Sequence, residues 1–385
     1  MLTAYRLLSL ALALAYAWLT WRYRRAWLQM PVFHIPDRFA PQTRISVIIA
    51  ARNEAANIAH CLQSILNGDY PQQLLEILVV DDFSEDDTVA VVSQLAENYP
   101  AVIRLLRLAD LPTAPDGPAF GKKRAIGHAV RQARGDLMVT TDADCVAPAA
   151  WLPALAALFE TRRPKAIAGP VALHRDRGLL ARFQALDVAG LMGVTGAGLA
   201  LGWHRMGNGA NLAYPKAVFE AVGGFADVDD RASGDDLFLL QKIARRWPGG
   251  VLFLKNNAAT VCTEAKPTLR AFVQQRLRWG AKNAALPEWR VKWVLAVVFA
   301  CCWCLLANAL LACCTAGWGW LLLAQIALKA GADYALLHTM CGFFQRRDLL
   351  RWFWPAFVLH TGYIAAVGAG SLLVKTYTWK GRRLR

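Results

Sequence analysis

The sequence predicts an α/β fold built on a mostly parallel sheet, with membrane-spanning helices at both ends of the chain. Two observations predict the sheet. Short apolar runs rich in Val and Ile alternate with helix-like segments, and paired carboxylates follow two of those runs. A third observation predicts the spans: the chain is 56% hydrophobic, and the apolar surplus lies at its two ends, whereas residues 41–290 have the composition of a soluble protein.

The first apolar run, residues 7–21, carries no charge and leads into a basic cluster that begins at Arg22. A cleaved signal peptide carries its basic residues before the apolar run, so this order favours a retained span. Basic residues beside a span mark its cytoplasmic end. Residues 1–25 are therefore predicted to be a transmembrane anchor whose carboxyl end is cytoplasmic, and the proline-containing segment 31–42 is predicted to be a linker.

Strands and helices alternate through the middle of the chain. Strands are predicted at residues 45–50, 75–80, 102–106 and 137–141. Asn53 is expected to cap the helix after the first strand. A Pro- and Gly-rich loop at residues 112–121 leads into a helix over residues 122–133. The apolar segment 188–203 is predicted to be buried or interfacial, because a span there would separate acidic motifs across the membrane.

The C-terminal part of the chain is predicted to return to the membrane. Its clearest spans are residues 293–312 and 352–374. A third segment, residues 318–340, contains Lys329 and Asp333, and a lysine near mid-bilayer costs about 2.5–3.5 kcal/mol on insertion. The two charges are four residues apart, so they can pair on one helical face. A membrane region of two or three spans is therefore predicted over residues 291–375.

Charge and cysteine content narrow the class of protein. The formal net charge of +15 could indicate nucleic-acid binding, but much of the excess flanks the apolar segments. Basic residues in that position favour the anionic face of a membrane, so no nucleic-acid partner is expected. The nine cysteines form no paired Cys-x-x-Cys set with zinc spacing. Their odd number in apolar surroundings predicts reduced thiols and a soluble part that faces the cytosol.

Paired carboxylates follow the fourth predicted strand at Asp142 and Asp144. Side chains alternate along a strand, so the two can face the same side. Such hard oxygens suit Mg²⁺ or Mn²⁺, which bind through one or two carboxylates together with substrate phosphates. Capping or solvated loops also produce this pattern. The pair Asp81 and Asp82 after another strand favours the metal interpretation, although Asp81 could instead cap a helix that begins near Asp86.

Two further pairs of charged residues could each have either a functional or a purely structural role. Lys122 and Lys123 begin a predicted helix and could hold a diphosphate, or they could form a solvated basic turn, which is the expected role of Lys123. Asp235 and Asp236 follow Ser233 and Gly234 at a predicted helix start. There they could include a general base for an acceptor hydroxyl, or they could complement the helix dipole.

One aromatic and basic motif lies just before the C-terminal membrane region. Gln275, Arg278 and Trp279 fall on a predicted helix. Together with Arg276 and Trp289 they could serve as an anchor at the membrane interface, where basic and aromatic residues are common. The motif alone does not show whether these residues anchor the protein at the membrane interface or belong to a binding site.

In this order, the motifs resemble those of glycosyltransferase family 2, the inverting nucleotide-sugar transferases with a GT-A fold. The resemblance runs from about residue 44 to residue 279. Its motifs are Ser46–Glu54, Val79–Ser84, Gly121–Lys122, Thr141–Asp144, Gly207–Asn211, Gly223–Phe225, Gly234–Asp236 and Gln275–Trp279. Single motifs of this kind are weak evidence, whereas the ordered set is specific.

The resemblance implies a role for each motif. A nucleoside pocket would be lined by Ala50, Arg52, Glu54 and Asp82. Lys122 would approach the diphosphate, Asp142 the donor, and Asp144 a divalent Mg²⁺ or Mn²⁺ ion. Asp236 would take the proton of the acceptor hydroxyl as that oxygen attacks the anomeric carbon. Asp235 is the alternative base, because many members have Glu-Asp at this place. The Gln-x-x-Arg-Trp signature, near acceptor and diphosphate, would be Gln275, Arg278 and Trp279.

The arrangement of spans is more similar to ceramide glucosyltransferase-like enzymes than to large polysaccharide synthases. The resemblance therefore implies a GT-A catalytic domain over residues 41–288 that transfers one sugar from a UDP- or GDP-linked donor to a lipid or glycan acceptor. The enzyme would be a multi-pass protein of the cell (inner) membrane with a cytoplasmic catalytic domain. A processive polysaccharide synthase is the nearest alternative. A non-catalytic nucleotide-binding membrane protein is the alternative from another class.

Overall fold

The structure, a computed structural model, contains two compact units. The described residues are 2–111, 121–174, 177–226, 234–284, 288–315, 317–373, 377–379 and 382–384. The sheet unit comprises Pro31–Ala172, Arg205–Glu264 and Trp379–Arg385. The helical unit comprises Met1–Met30, Leu173–His204 and Ala265–Thr378. The units are interleaved along the chain, whereas the domains predicted from the sequence, 1–25, 41–288 and 291–375, are consecutive; those boundaries stay a prediction.

The strands form a mixed sheet in which parallel pairs predominate. In the described chain they are β1 (Ile45–Ala51), β2 (Leu75–Asp81), β3 (Ile103–Arg107), β4 (Leu137–Asp142), β5 (Ala166–Ala168), β6 (Val171–His174), β7 (Leu212–Pro215), β8 (Val251–Phe253), β9 (Val261–Glu264), β10 (Tyr377–Trp379) and β11 (Arg382–Leu384). The main sheet has the order β3-β2-β1-β4-β7-β5-β8. β7 is antiparallel to β4 and β5, and the other neighbours are parallel. The predicted α/β fold with a mostly parallel sheet is confirmed.

Helices make up most of the remaining described chain. They are α1 (Leu2–Gln29), α2 (Ile58–Leu66), α3 (Thr88–Asn98), α4 (Lys122–Gln132), α5 (Trp151–Arg162), α6 (Leu179–Ala200), α7 (Lys216–Ala221), α8 (Asp235–Arg246), α9 (Leu269–Ala284), α10 (Trp289–Cys314), α11 (Gly319–Phe343) and α12 (Phe353–Leu373). Short 3₁₀ helices lie at Gln72–Leu74, Leu108–Asp110, Asn257–Ala259 and Arg347–Trp352. The predicted loop at residues 112–121 lies, except for Gly121, outside the described residues.

The carboxyl ends of three central strands meet at one edge of the sheet. β1 and β2 are buried along almost their whole length, as expected of apolar strands covered on both faces. In the register, Ala50 lies opposite Val80 of β2 and opposite Asp142 of β4. Four carboxylates at the ends of β2 and β4 therefore belong to the same edge, called the acidic edge below: Asp81, Asp82, Asp142 and Asp144.

The cap predicted at Asn53 is wrong. The helix α2 begins only at Ile58. Asn53 instead has a φ of 50°, and its side-chain oxygen accepts a hydrogen bond of 2.9 Å from the backbone N–H of Glu85. Asp81 likewise does not cap α3, because its carboxylate accepts a hydrogen bond of 3.2 Å from the N–H of Ser84 in the preceding loop. Both side chains order the loops beside the acidic edge.

Four helices in the described chain are long and apolar enough to cross a membrane: α1, α6, α10 and α11. α12, which coincides with the span predicted over residues 352–374, falls outside this set. α6 differs from the other three, because 67% of its apolar window is buried against 22–28% of theirs. Within the helical unit it packs against α1, α11 and α12. α6 is therefore an inner helix, which agrees with the burial predicted for residues 188–203.

Buried polar groups join the helices of the helical unit. Lys329 Nζ lies 2.7 Å from Asp333 Oδ2, so the predicted pairing of these two charges is confirmed. The hydroxyl of Tyr16 in α1 donates a hydrogen bond of 2.5 Å to Asp333 Oδ1. A second cluster, with hydrogen bonds of 2.8–3.0 Å, consists of Ser9, Asn308 and Gln325. Because unpaired polar atoms are costly in apolar surroundings, these contacts hold α1 against α10 and α11.

Removal of one partner from the buried ion pair should destabilise the helical unit. Asp333→Ala would leave the ammonium of Lys329, which is 0% exposed, without its counter-charge. Breaking a buried pair in this way costs about 3–5 kcal/mol, so thermal unfolding of the protein in lipid nanodiscs should show a lower midpoint. The double variant Lys329→Met with Asp333→Leu should recover most of that loss, since apolar replacement of a buried pair is often neutral. A single variant as stable as the wild type would contradict this prediction.

Candidate active site

The acidic edge positions the start of α4. Asp142 ends β4, and Asp144 lies in the turn that follows. Asp82 is 2% exposed, and its Oδ1 accepts a hydrogen bond of 3.1 Å from the N–H of Gly121. Gly121 has a φ of 115°, which glycine adopts without a steric penalty. Asp82 therefore fixes the residue immediately before Lys122, the first residue of α4.

Lys122 joins the acidic edge to the first turn of α8. Its Nζ lies 2.6 Å from Asp142 Oδ1 and 3.5 Å from Asp235 Oδ2. Burial alone would lower the pKa of Lys122, but the carboxylates of Asp142 and Asp235 raise it, and the net shift is upward. The ammonium is therefore charged at neutral pH. The solvated turn expected for Lys123 is wrong, because Lys123 is 7% exposed and lies over the ring of Phe238, 5.0 Å from its centre.

The two acids at the start of α8 have different surroundings. Asp235 is 7% exposed and faces Lys122. Asp236 is partly exposed, and its Oδ2 accepts a hydrogen bond of 3.1 Å from the N–H of Gly209. A Cβ at Gly209 would lie 3.1 Å from Lys122 Nζ and 3.3 Å from Asp235 Oδ2, so any larger residue would require these side chains to shift by a few tenths of an ångström. Ser233, which begins the predicted motif, lies outside the described residues.

Two carboxylates and a thiol, at the end of β4 and in the turn that follows it, are close enough to hold a metal ion. Ligand atoms of Asp142, Asp144 and Cys145 all lie within 4.8 Å of one another. Burial raises the pKa of the Cys145 thiol, and the two carboxylates raise it further. Thiol sulfur is a soft ligand, whereas the two carboxylates beside it offer hard oxygen ligands. The two oxygen donors that remain fit a hard divalent ion such as Mg²⁺ or Mn²⁺.

The residues predicted to line a nucleoside pocket lie around the carboxyl end of β1. Ala50 belongs to β1, and Arg52 and Glu54 follow it. The guanidinium of Arg52 donates a hydrogen bond of 2.9 Å to the carbonyl of Asp82 and pairs with Glu85 at 2.8 Å. Its side chain is 6% exposed, so it braces the loop after β2. The sequence did not indicate this role of Glu85, because Glu85 is one of three acidic residues in a polar loop.

The structure places the Gln-x-x-Arg-Trp residues in the helical unit. They lie on α9 and are Gln275, Arg278 and Trp279. The role of interfacial anchor does not apply to Arg276, which is 4% exposed and pairs with Asp187 of α6 at 2.5 Å. Asp187 was not identified from the sequence, because its neighbours are apolar and form no recognisable motif.

The curated relatives of this chain are glycosyltransferases. It is 30% identical to beta-monoglucosyldiacylglycerol synthase of Synechocystis sp. over 265 residues, which covers 65% of this chain and 50% of that protein. It is 23% identical to poly-beta-1,6-N-acetyl-D-glucosamine synthase of Staphylococcus epidermidis over 245 residues, which covers 61% of this chain and 53% of that protein. The chain thus spans about half the length of the curated relatives it matches.

A solved structure is similar to nearly the whole chain. It is the mannosyltransferase PcManGT from Pyrobaculum calidifontis in complex with GDP-Man and Mn²⁺, with a TM-score of 0.62 and 26% identity over 97% of this chain and 100% of that one. The sequence model of the family described as "Glycosyltransferase like family 2" matches residues 41–281, more than half of the 385 residues. The protein therefore belongs to glycosyltransferase family 2 and is an enzyme with a GT-A fold.

Proposed function

We propose that this enzyme transfers a single sugar, with inversion, from a nucleotide-sugar donor to a lipid-linked acceptor at the membrane. One observation within the sheet unit carries the proposal. Lys122 contacts Asp142, which is close in sequence to the predicted metal ligand Asp144, and it also faces Asp235, which neighbours the predicted base Asp236. This arrangement supports a single site that combines the residues proposed to bind the donor with the residue proposed to accept a proton.

Donor binding is assigned to the carboxyl ends of the central strands. The nucleoside would be surrounded by Ala50, Arg52, Glu54 and Asp82. Arg52 supports this role indirectly, because its pair with Glu85 at 2.8 Å holds the loop that carries Asp82. Lys122 would approach the diphosphate, since an ammonium that binds a carboxylate at 2.6 Å can bind a phosphate oxygen instead. Asp142 would contact the donor.

A divalent ion, Mg²⁺ or Mn²⁺, is assigned to Asp144 with Asp142 beside it. When bound, such an ion is a Lewis acid that stabilises the departing nucleoside diphosphate. The oxygen donors at the end of β4 support this assignment, and PcManGT was solved with both GDP-Man and Mn²⁺.

Asp236 is assigned as the general base in preference to Asp235. A base must be ionised and must reach the proton that it removes. Asp235 is buried and faces Lys122 at 3.5 Å, whereas Asp236 is partly exposed and oriented by the N–H of Gly209. The Asp236 carboxylate would take the proton of the acceptor hydroxyl while that oxygen bonds to the anomeric carbon. The bond from that carbon to the diphosphate oxygen breaks on the opposite side, which inverts the configuration.

The acceptor is proposed to be membrane-associated. Four described helices could cross a membrane by length and composition, and one relative is named as the synthase of a glucosylated diacylglycerol. On α9, the residues assigned to the acceptor and the diphosphate are Gln275, Arg278 and Trp279. The enzyme would be a multi-pass protein of the cell inner membrane, with its catalytic domain over residues 41–288 facing a cytoplasmic supply of UDP- or GDP-sugar.

The test is release of nucleoside diphosphate by the protein in lipid vesicles. A panel of UDP- and GDP-sugars is supplied with Mg²⁺, Mn²⁺ or a chelator, and a native lipid extract provides the acceptor. We expect release from one donor, and we expect that release to disappear with chelator. No release from any donor by folded protein would contradict the proposal.

Processive polysaccharide synthesis is the second candidate function. The identity of 23% to a poly-beta-1,6-N-acetyl-D-glucosamine synthase favours it, and so does the Gln-x-x-Arg-Trp signature. Product length separates the two functions. One added sugar for each acceptor molecule supports single transfer, whereas a lengthening polymer supports the synthase.

The close approach at Gly209 leads to a further prediction. Gly209→Ala would push against Lys122 Nζ and Asp235 Oδ2, which lie 3.1 and 3.3 Å from the added carbon. Because a small misplacement of reacting groups can cost up to about 10²-fold in rate, we expect kcat to fall by roughly 10–100-fold. The matched control is Gly331→Ala in α11, where an added carbon meets nothing within 4 Å. Turnover equal to that of the control would show that the contact at Gly209 is unimportant.

A further inference from the structure

The helix that carries Gln275, Arg278 and Trp279 packs mainly against α12 and is also contacted by side chains of another helix of the helical unit, α6. We propose that Asp187 of α6 is a positioning residue for sugar transfer, which acts through Arg276 to fix the rotation and register of α9. The inference rests on the proposed function in one respect: it takes the α9 motif to contact the acceptor.

The ion pair between the two helices is almost completely buried. Arg276 Nη2 lies 2.5 Å from Asp187 Oδ2, and the side chains are 3% and 4% exposed. A buried ion pair of this kind adds little net stability compared with apolar side chains of the same size. Any movement that separated the two charges would, in contrast, leave both of them buried without a counter-charge, which is strongly unfavourable. The pair is therefore better suited to orienting α9 than to stabilising the fold.

Two further contacts from the same stretch of α6 act on α9 and on the segment that leads into it. The side chain of Gln184 accepts a hydrogen bond of 2.9 Å from the N–H of Lys266 and donates one of 3.0 Å to its carbonyl. The ring of Phe183 packs edge-on against Phe272, with 5.6 Å between the ring centres. With Asp187, which lies one helical turn further along α6, three neighbouring side chains hold the approach, the first half and the middle of α9.

Arg276 transmits this positioning to the motif itself. Its guanidinium carbon lies 4.2 Å from the ring centre of Trp279 and 4.9 Å from that of Phe272. Arg276 and Trp279 are three residues apart, so they share a face of α9, and a cation over an aromatic ring is an attractive contact. Without the Asp187 carboxylate, the guanidinium of Arg276 would be able to move, and the orientation of Trp279 would no longer be fixed.

The first test compares Asp187→Asn with Asp187→Glu. Asp187→Asn keeps the size of the side chain but removes its charge, and we expect kcat for transfer to fall on the order of 10²-fold with an unchanged dissociation constant for the donor. Asp187→Glu keeps the charge and should restore much of kcat. The matched control is Asp348→Asn, which removes an exposed ion pair with Arg346 and should leave kcat unchanged. Wild-type kcat in a folded Asp187→Asn variant would overturn the proposal, as would equal losses in kcat and donor binding.

A double variant covers the case in which Asp187→Asn fails to fold. Asp187→Leu with Arg276→Met removes both charges and should remain folded, because apolar pairs replace buried ion pairs well. The positioning role predicts that this folded protein still binds donor but transfers sugar slowly. Full activity of the double variant would overturn the proposal.

Hydrogen exchange separates failure of this inference from failure of the proposed function. Backbone amides of α9 should exchange faster in Asp187→Asn than in the wild type, whereas those of α10 should not change, and this measurement requires no donor. If the wild type shows no transferase activity, the proposed function fails, while faster exchange in α9 would still support the coupling of α6 to α9. Unchanged exchange would overturn the coupling, whatever the activity.

Discussion

Asp236→Asn is expected to lower kcat by roughly 10²–10⁴-fold, the usual contribution of a general base, while donor binding is retained. Asparagine has nearly the same shape and keeps an oxygen that can accept the hydrogen bond of 3.1 Å from the N–H of Gly209. The start of α8 should therefore keep its structure. The variant loses the capacity to take a proton from the acceptor hydroxyl, and it also loses the hydrogen bond of 2.8 Å that the second carboxylate oxygen accepts from the N–H of Leu237. Turnover is measured as nucleoside diphosphate release at saturating donor and acceptor, and donor binding by calorimetry.

Asp235→Asn is the matched comparison for that experiment. It removes the adjacent carboxylate, which is buried and faces Lys122 at 3.5 Å, and it should weaken donor binding more than it slows the proton transfer. If Asp235 were the base, Asp235→Asn would show the large loss of kcat with donor binding retained, and Asp236→Asn would not. Unchanged turnover in Asp236→Asn would remove Asp236 from the assignment.

Asp144→Asn is expected to abolish metal-dependent use of the donor. A neutral amide is a much weaker ligand than a carboxylate for a hard divalent ion. The other carboxylate of the pair, Asp142, already has one oxygen 2.6 Å from Lys122 Nζ, so it should not replace the missing ligand. Two measurements check the prediction: donor turnover as a function of Mn²⁺ concentration, and direct binding of Mn²⁺ by electron paramagnetic resonance.

The control for the metal experiment is Asp110→Asn, which removes an exposed carboxylate of the sheet unit that lies outside the acidic edge. This variant should bind Mn²⁺ and turn over donor as the wild type does. Persistence of wild-type turnover in Asp144→Asn at the same Mn²⁺ concentration would exclude Asp144 from the metal site.

The sequence predicted the parts of the structure that depend on neighbouring residues. The strands were visible because Val, Ile and Leu fill them, and the acidic edge was visible because carboxylates follow two of those strands directly. The pair of Lys329 and Asp333 was predictable for a similar reason, since side chains four residues apart in a helix are neighbours. Among the motifs of the sheet unit, Asp142, Lys122 and Asp235 are far apart in sequence and yet lie together. There, only resemblance to a family indicated the grouping.

Contacts between distant segments could not be predicted from local patterns. Nothing around Tyr16 indicates that its hydroxyl binds Asp333, and nothing around Asp187 indicates a partner in α9. The error at Asn53 has a related cause. Its residue type and position suit a helix cap, but hydrogen bonds to the loop after β2 hold it in a left-handed conformation and delay the helix to Ile58.

The interleaving of the helical unit has a consequence for synthesis of the chain on the ribosome. α1 is made long before its polar partners Asn308, Gln325 and Asp333. During elongation, Ser9 and Tyr16 would face lipid or water without those partners, and contacts so remote in sequence form slowly. A nascent chain that stops before residue 333 would therefore carry an incompletely packed first helix, whose Tyr16 hydroxyl has not yet met its partner Asp333.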